Sequence, residues 1–126
     1  MHDFRRLHVW QMARDLASKV ERLAGAFPRH DQGLVANQLR RSTLSISANI
    51  AEGCGKDSPK ELIRFLQIAA GSVAETENHL LLATDLGYIH PKTGDALVAQ
   101  TVKIRRMLYR LKQSVAAREK SPTAGG

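Results

Sequence analysis

Four consecutive residues, Gly53-Cys54-Gly55-Lys56, bring two glycines, a thiol and an ammonium together. Glycine-rich loops followed by lysine hold phosphate, because bare backbone N–H groups and a cation converge on the anion. That loop requires a glycine five residues before its final glycine and a Ser or Thr after the lysine. Those positions hold Ile50 and Asp57, and the preceding residues read as a helix where a strand is needed. The stretch is therefore read as a turn, with Gly53 allowing a left-handed helix stop and Gly55 helping to reverse the chain. Cys54 has no neighbouring base to activate it as a nucleophile. As the single cysteine it has no internal disulfide partner, which fits a reduced thiol in a cytoplasmic protein.

Glu52, Glu75 and His79 raise a second chemistry, a metal site inside a helical bundle. A di-metal site of that kind needs inward carboxylates and two Glu-x-x-His pairs. Here Glu75 and His79 stand four apart and no Glu-x-x-His occurs. The alternative reading is a hydrogen-bonded polar layer of Arg41, Asn49, Glu52, Glu75 and His79, since buried polar groups must be paired and such pairing can fix helix register. On this reading no metal or other cofactor is expected.

The third chemistry is anion contact. Lys103, Arg106 and Arg110 recur at i, i+3 and i+7, opposite an apolar stripe, with Arg105 and Lys112 flanking them. Arg14 and Arg22 lie opposite the apolar stripe of the first helix. The chain carries a formal charge of +7 with a pI near 10.1, and the excess lies at its two ends. Residues 88–126 hold eight Lys/Arg against two Asp/Glu, whereas residues 58–87 hold two against four. A surface of this kind favours polyanions, nucleic acid first, through phosphate contacts. Tyr109 is the nearest ring, so recognition of backbone or shape is expected more than base stacking. The alternative is a solvated face that only maintains solubility.

These groups need elements to position them. Val9, Ala13, Leu16, Val20, Leu23 and Phe27 form one stripe with helical spacing, ended by Phe27-Pro28. A second helix is expected from about Leu34 to Glu52, with Val35, Leu39, Ile46 and Ile50 apolar and many small residues between them. Ser58-Pro59-Lys60-Glu61 predicts a helix start with an N-cap serine, a proline in the first turn and a capping-box glutamate. Leu62, Leu66, Ala69, Val73, Thr76, Leu80 and Ala83 follow, with a second stripe of Phe65, Ile68, Ser72, His79, Leu82 and Leu86 beside them. Gly87 is the expected stop, and Tyr88 to Gly94 reads as a loop. Leu97, Thr101, Ile104, Leu108, Leu111 and Val115 mark a fourth helix. Short connections make successive helices antiparallel. The expected fold is all-α, an up-down-up-down four-helix bundle over residues 1–118, with 119–126 a flexible Ser/Pro/Gly-containing tail. A composition 43% hydrophobic and 25% charged fits a globular domain. No apolar run approaches the ~18 residues of a membrane span, and no secretory signal is visible.

The stretches "LHVWQMA", "RRSTLSISANIAEG", "KELIRFLQIAAGSVAETENHL" and "LGYI" resemble the four-helix bundle family of 23S rRNA intervening-sequence proteins. The resemblance spans roughly Phe4 to Leu111. Accessory variability proteins of diversity-generating retroelements share that bundle. The resemblance implies a bacterial, non-enzymatic, basic protein that assembles as a homopentamer; the retroelement members bind nucleic acid and a reverse transcriptase. Arg41, Ser42, Asn49, Glu52, Gly53, Arg64, Phe65, Glu75 and Glu77 carry the motif, and the resemblance implies that they set helix contacts or a subunit interface. Ser47 stands where such proteins commonly have proline.

Three readings result. The first is a cytoplasmic homopentameric bundle that binds RNA or DNA phosphates through Arg14, Arg22, Lys103, Arg105, Arg106, Arg110 and Lys112. The second is a protein-interaction scaffold whose partner is a reverse transcriptase or another acidic protein that tolerates a basic surface. The third is a metal enzyme built on Glu52, Glu75 and His79.

Overall fold

The computed structural model describes residues 3–120. Four helices make the fold: α1 His8–Ala24, α2 Asn37–Cys54, α3 Pro59–Asp85 and α4 Pro91–Lys120. A short 3-10 turn, Phe4–Arg6, precedes α1, and a 3-10 turn with a π turn, Arg29–Asp31 and Gln32–Ala36, leads into α2. At 1.5 Å per residue, α4 is about 45 Å long.

Cross-helix contacts fix the topology. Ser42 meets Thr76 and Ser45 meets Ser72, so α2 and α3 run in opposite directions. Arg105 pairs with Glu77, and Leu108 shares a groove with Leu66, so α4 reverses α3. Lys19 bonds Gln100, while His8 shares a groove with Lys103 and Met107, so α1 and α4 are antiparallel as well. This is the expected all-α, up-down-up-down bundle.

The predicted stripes are the core. Val9, Ala13, Leu16 and Val20, then Leu39, Ile46 and Ile50, then Leu62 to Ala83 at helical spacing, then Leu97, Ile104, Leu108 and Val115 are all buried. The second stripe of α3 behaves differently. Phe65 and Ser72 are buried, but Ile68, Leu82 and Leu86 remain exposed.

Both helix-end signals of α3 are realised. Ser58 Oγ accepts from Glu61 N, with Pro59 in the first turn. Gly87 takes a φ of +80°, which only glycine adopts without strain. With it, Gly87 N donates to Thr84 O and Tyr88 N to Ala83 O, the paired bonds of a Schellman stop.

Three local expectations need correction. Gly53 is not a left-handed stop; it lies inside α2, and Gly87 is the one positive-φ residue among those described. A Cβ at Gly53 would stand 2.8 Å from Phe65 Cβ, so the glycine permits close helix approach. The loop expected over Tyr88–Gly94 ends early, because Pro91 opens α4 and His90 Nδ1 accepts from Lys92 N at the helix start. Gly94 is therefore helical, and a Cβ there would collide with the Thr84 hydroxyl. Finally, α1 stops at Ala24, and Phe27 reaches the core through a turn. The flexible tail expected after 118 falls outside the described residues, apart from Glu119 and Lys120, which continue α4.

One end of the bundle is closed by side chains of both connections. Tyr88 stacks against Phe27 at 5.3 Å and its hydroxyl donates to Asp31.

Candidate nucleic-acid interface

The basic residues of α4 divide by direction. Arg106 and Arg110 are exposed, one helical turn apart, and project away from the core stripe of Thr101, Ile104 and Leu108. Lys103 leans toward α1, into a groove of about 420 Å³ with His8, Gln11 and Asp15. Lys103, Arg106 and Arg110 enter none of the ion pairs among the described residues. Arg105 and Lys112 turn the other way, toward α3. Arg105 Nη1 bonds Glu77 Oε1 at 2.7 Å, and Lys112 Nζ lies 5.5 Å from the Tyr109 ring centroid.

The two α1 residues do not join this group. Arg14 stacks over Trp10 at 5.3 Å, in the row that also holds Glu21. Glu21 pairs with Arg40 near the start of α2, so this flank of α1 faces α2. Arg22 donates to Ser18 and lies on the flank of Asp15 and Lys19. Lys19 is level with Gln100, so antiparallel packing carries Arg22 toward the start of α4. That puts it on the order of 14 Å along the axis from Arg106. The charge is thus concentrated on α4, and the basic residues of the first and fourth helices lie on separate faces.

What joins α1 to α4 is a polar clasp around Gln100, a residue that carried no signal in the sequence. Its amide donates to Asp15 Oδ2 at 3.0 Å and to Met12 O, and its carbonyl accepts from Lys19. Asp15 also holds Lys19 at 2.9 Å. The Lys19 hydrogen bond, then that of Gln100, holds the Asp15 carboxyl below its ordinary value.

The expected polar layer has other members. Arg41, Glu52 and Glu75 are exposed, and Asn49 and His79 are half-buried. The buried layer between α2 and α3 is made of hydroxyls instead. Ser42 Oγ donates to Leu39 O and receives Thr76 Oγ1 at 2.9 Å, while the Thr76 proton is also within reach of Ser72 O. Ser45 and Ser72 meet at 2.8 Å, and Asn49 Nδ2 donates to Ser45. The helices cross too closely there for long charged side chains, and desolvating ions would cost more than satisfying short hydroxyls. Arg41 and Glu75 line a polar groove above this layer with Gln38.

The same register dismantles the metal arrangement. Glu75 is level with the Ser42–Thr43 turn, nine or so residues from Glu52, or roughly 14 Å along the axis. Among the described residues, no three His, Cys, Asp or Glu side chains gather as ligands. Cys54 is buried, and that burial pushes its thiol up, away from the reactive thiolate. Lys56 places its ammonium over the Phe65 ring at 5.4 Å, so Gly53-Cys54-Gly55-Lys56 is a helix end packed on α3. No helix among the described residues is long and apolar enough to cross a membrane.

Known proteins add the following. The family described as 23S rRNA-intervening sequence protein matches residues 5–110. A crystal structure of a protein of unknown function from the S23 ribosomal protein family of Bacteroides thetaiotaomicron is similar, with a TM-score of 0.77 and 25% sequence identity. That likeness covers 82% of this chain and 97% of the other. No curated protein matches the chain.

Proposed function

The chain belongs to the 23S rRNA-intervening sequence protein family, and we propose that it is a non-enzymatic member that binds RNA or DNA by phosphate contact through α4. One observation carries this reading: Lys103, Arg106 and Arg110 lie within two turns of one helix, and none of the ion pairs among the described residues involves them. Three cations without carboxylate partners repel one another, and polyanion phosphates would relieve that repulsion while releasing counterions. Arg105, held by Glu77, and Arg14, held over Trp10, are secondary contributors at most.

The reading includes self-association as a homopentamer, which the family resemblance supports. Leu44 on α2, Ile68 and Leu82 on α3, and Leu86 just past the end of α3 are 40–59% exposed, which leaves apolar surface for a second copy to cover. The same exposed surface favours the alternative reading, a scaffold for a protein partner such as a reverse transcriptase.

The test is binding of structured RNA and duplex DNA across a salt series, with the wild type beside a Lys103→Glu, Arg106→Glu, Arg110→Glu variant. Wild-type binding that weakens steeply with salt and disappears in the variant supports the phosphate surface. Absence of wild-type binding at low salt overturns it and favours the scaffold.

A further inference from the structure

The groove between α3 and α4 is where an aromatic ring joins the basic surface. Leu66, Ala70 and Leu108 form its apolar floor, and Tyr109 with Arg105 and Lys112 forms its wall. Its volume is about 180 Å³, below the ~300–1,000 Å³ of pockets for drug-sized ligands, so it has room for one small ring system. Tyr109 is 55% exposed, and its hydroxyl is held by Gln113 Nε2 at 3.0 Å. The ring is therefore anchored at its polar end and more than half exposed, with the Lys112 ammonium over its π-surface at 5.5 Å. An exposed cation–π contact is weaker than base stacking on an aromatic ring, so an incoming base would displace the ammonium and leave it free for the adjoining phosphate.

The chemistry of the groove selects its occupant. An apolar floor and an exposed aromatic ring capped only by a displaceable ammonium fit a flat ring. Lys112 at the rim fits an anion attached to that ring, whereas Arg105 is already held by Glu77. A nucleotide in a duplex has its base stacked and paired, out of reach of such a groove. We propose that the α3–α4 groove holds one unpaired nucleobase against Tyr109, with neighbouring phosphates on Lys112 and the outward arginines of α4. The inference rests on the nucleic-acid reading above and adds to it a preference for single-stranded or bulged segments. It also revises the expectation that recognition here relies little on stacking.

The experiment uses a single-stranded RNA oligomer carrying 2-aminopurine and a blunt RNA duplex of equal length. Both are titrated against the wild type, Tyr109→Ala and Tyr109→Phe. Expected are quenching of 2-aminopurine by the wild type and Tyr109→Phe, and a loss of about tenfold in single-strand affinity in Tyr109→Ala. Duplex affinity should stay within about twofold, because the phosphate contacts remain. Tyr109 is exposed, so a thermal melt should show all three proteins folded alike. If the wild type binds both RNAs but Tyr109→Ala loses nothing, or loses equally on both, the stacking site is overturned and the phosphate surface stands. If the wild type binds neither RNA, the phosphate reading fails first and takes the groove with it.

Discussion

Gly53 of α2 faces Phe65 of α3 so closely that an added Cβ would stand 2.8 Å from Phe65 Cβ and 3.0 Å from Leu62 Cδ1. Real Cβ atoms do not approach so near, so the crossing of these helices is set by the missing side chain. Elsewhere in a helix, replacing Gly by Ala is favourable by about 0.5–1 kcal/mol. At Gly53 the overpacking cost of about 1–3 kcal/mol outweighs that gain. Gly53→Ala should therefore lower stability in urea titrations. Gly33→Ala, where no atom lies within 4 Å, should leave it equal or raise it by up to about 1 kcal/mol. A stabilised Gly53→Ala would show that α2 and α3 do not pack this tightly.

Ser42 and Thr76 form the buried link between the same helices. Thr76→Val keeps the shape and removes the hydroxyl, at a cost of roughly 1 kcal/mol. Ser42→Ala should cost a similar amount. The double variant should lose clearly less than the sum, because either single change already removes the bond the two hydroxyls share. Strict additivity in the four-way cycle would mean that the two hydroxyls act independently.

Asp15 holds Lys19 of its own helix and ties α1 to Gln100 of α4, and its folded carboxyl sits below its ordinary value of 3.8. A depressed carboxylate contributes stability in full above the unfolded pKa and loses it as pH falls through the folded pKa. The pair is exposed, so the contribution is limited to about 1 kcal/mol or less. Asp15→Asn should be slightly less stable than the wild type near pH 6, and the gap should narrow toward about pH 3. Urea midpoints at the two pH values check this; a gap that widens on acidification contradicts it.

Ile68 sits on the exposed side of α3, 40% accessible. Ile68→Asp should change the fold's own stability by no more than about 0.5 kcal/mol, as surface changes usually do. If this face meets another copy, the same change should shift the assembly toward monomer in light scattering. An unchanged mass for the variant, with the wild type assembled, would place the interface elsewhere.

The sequence by itself determined the main inward stripe of each helix and where α3 begins and ends, though not that Ile68 and Leu82 of the second α3 stripe stay exposed. Leu62 to Ala83 repeat at helical spacing, Ser58 caps and Gly87 stops, and each of these signals acts within one or two turns of chain. Family membership was legible too, since it rests on runs of adjacent residues. The tertiary structure alone decided how near the helices come and how they are aligned along their axes. Gly53 and Gly94 read as turn residues because a glycine's role in helix contact depends on Phe65 and Thr84, the latter ten residues away and the former in another element. Glu52 and Glu75 looked like partners until the Ser42–Thr76 register set them apart. Arg14 read only as a residue opposite the apolar stripe of α1, and the Glu21–Arg40 pair turned its flank toward α2. Periodicity reports a direction relative to a core. Distance and axial register are properties of pairs of helices, fixed by the packing of side chains that the chain brings together only on folding.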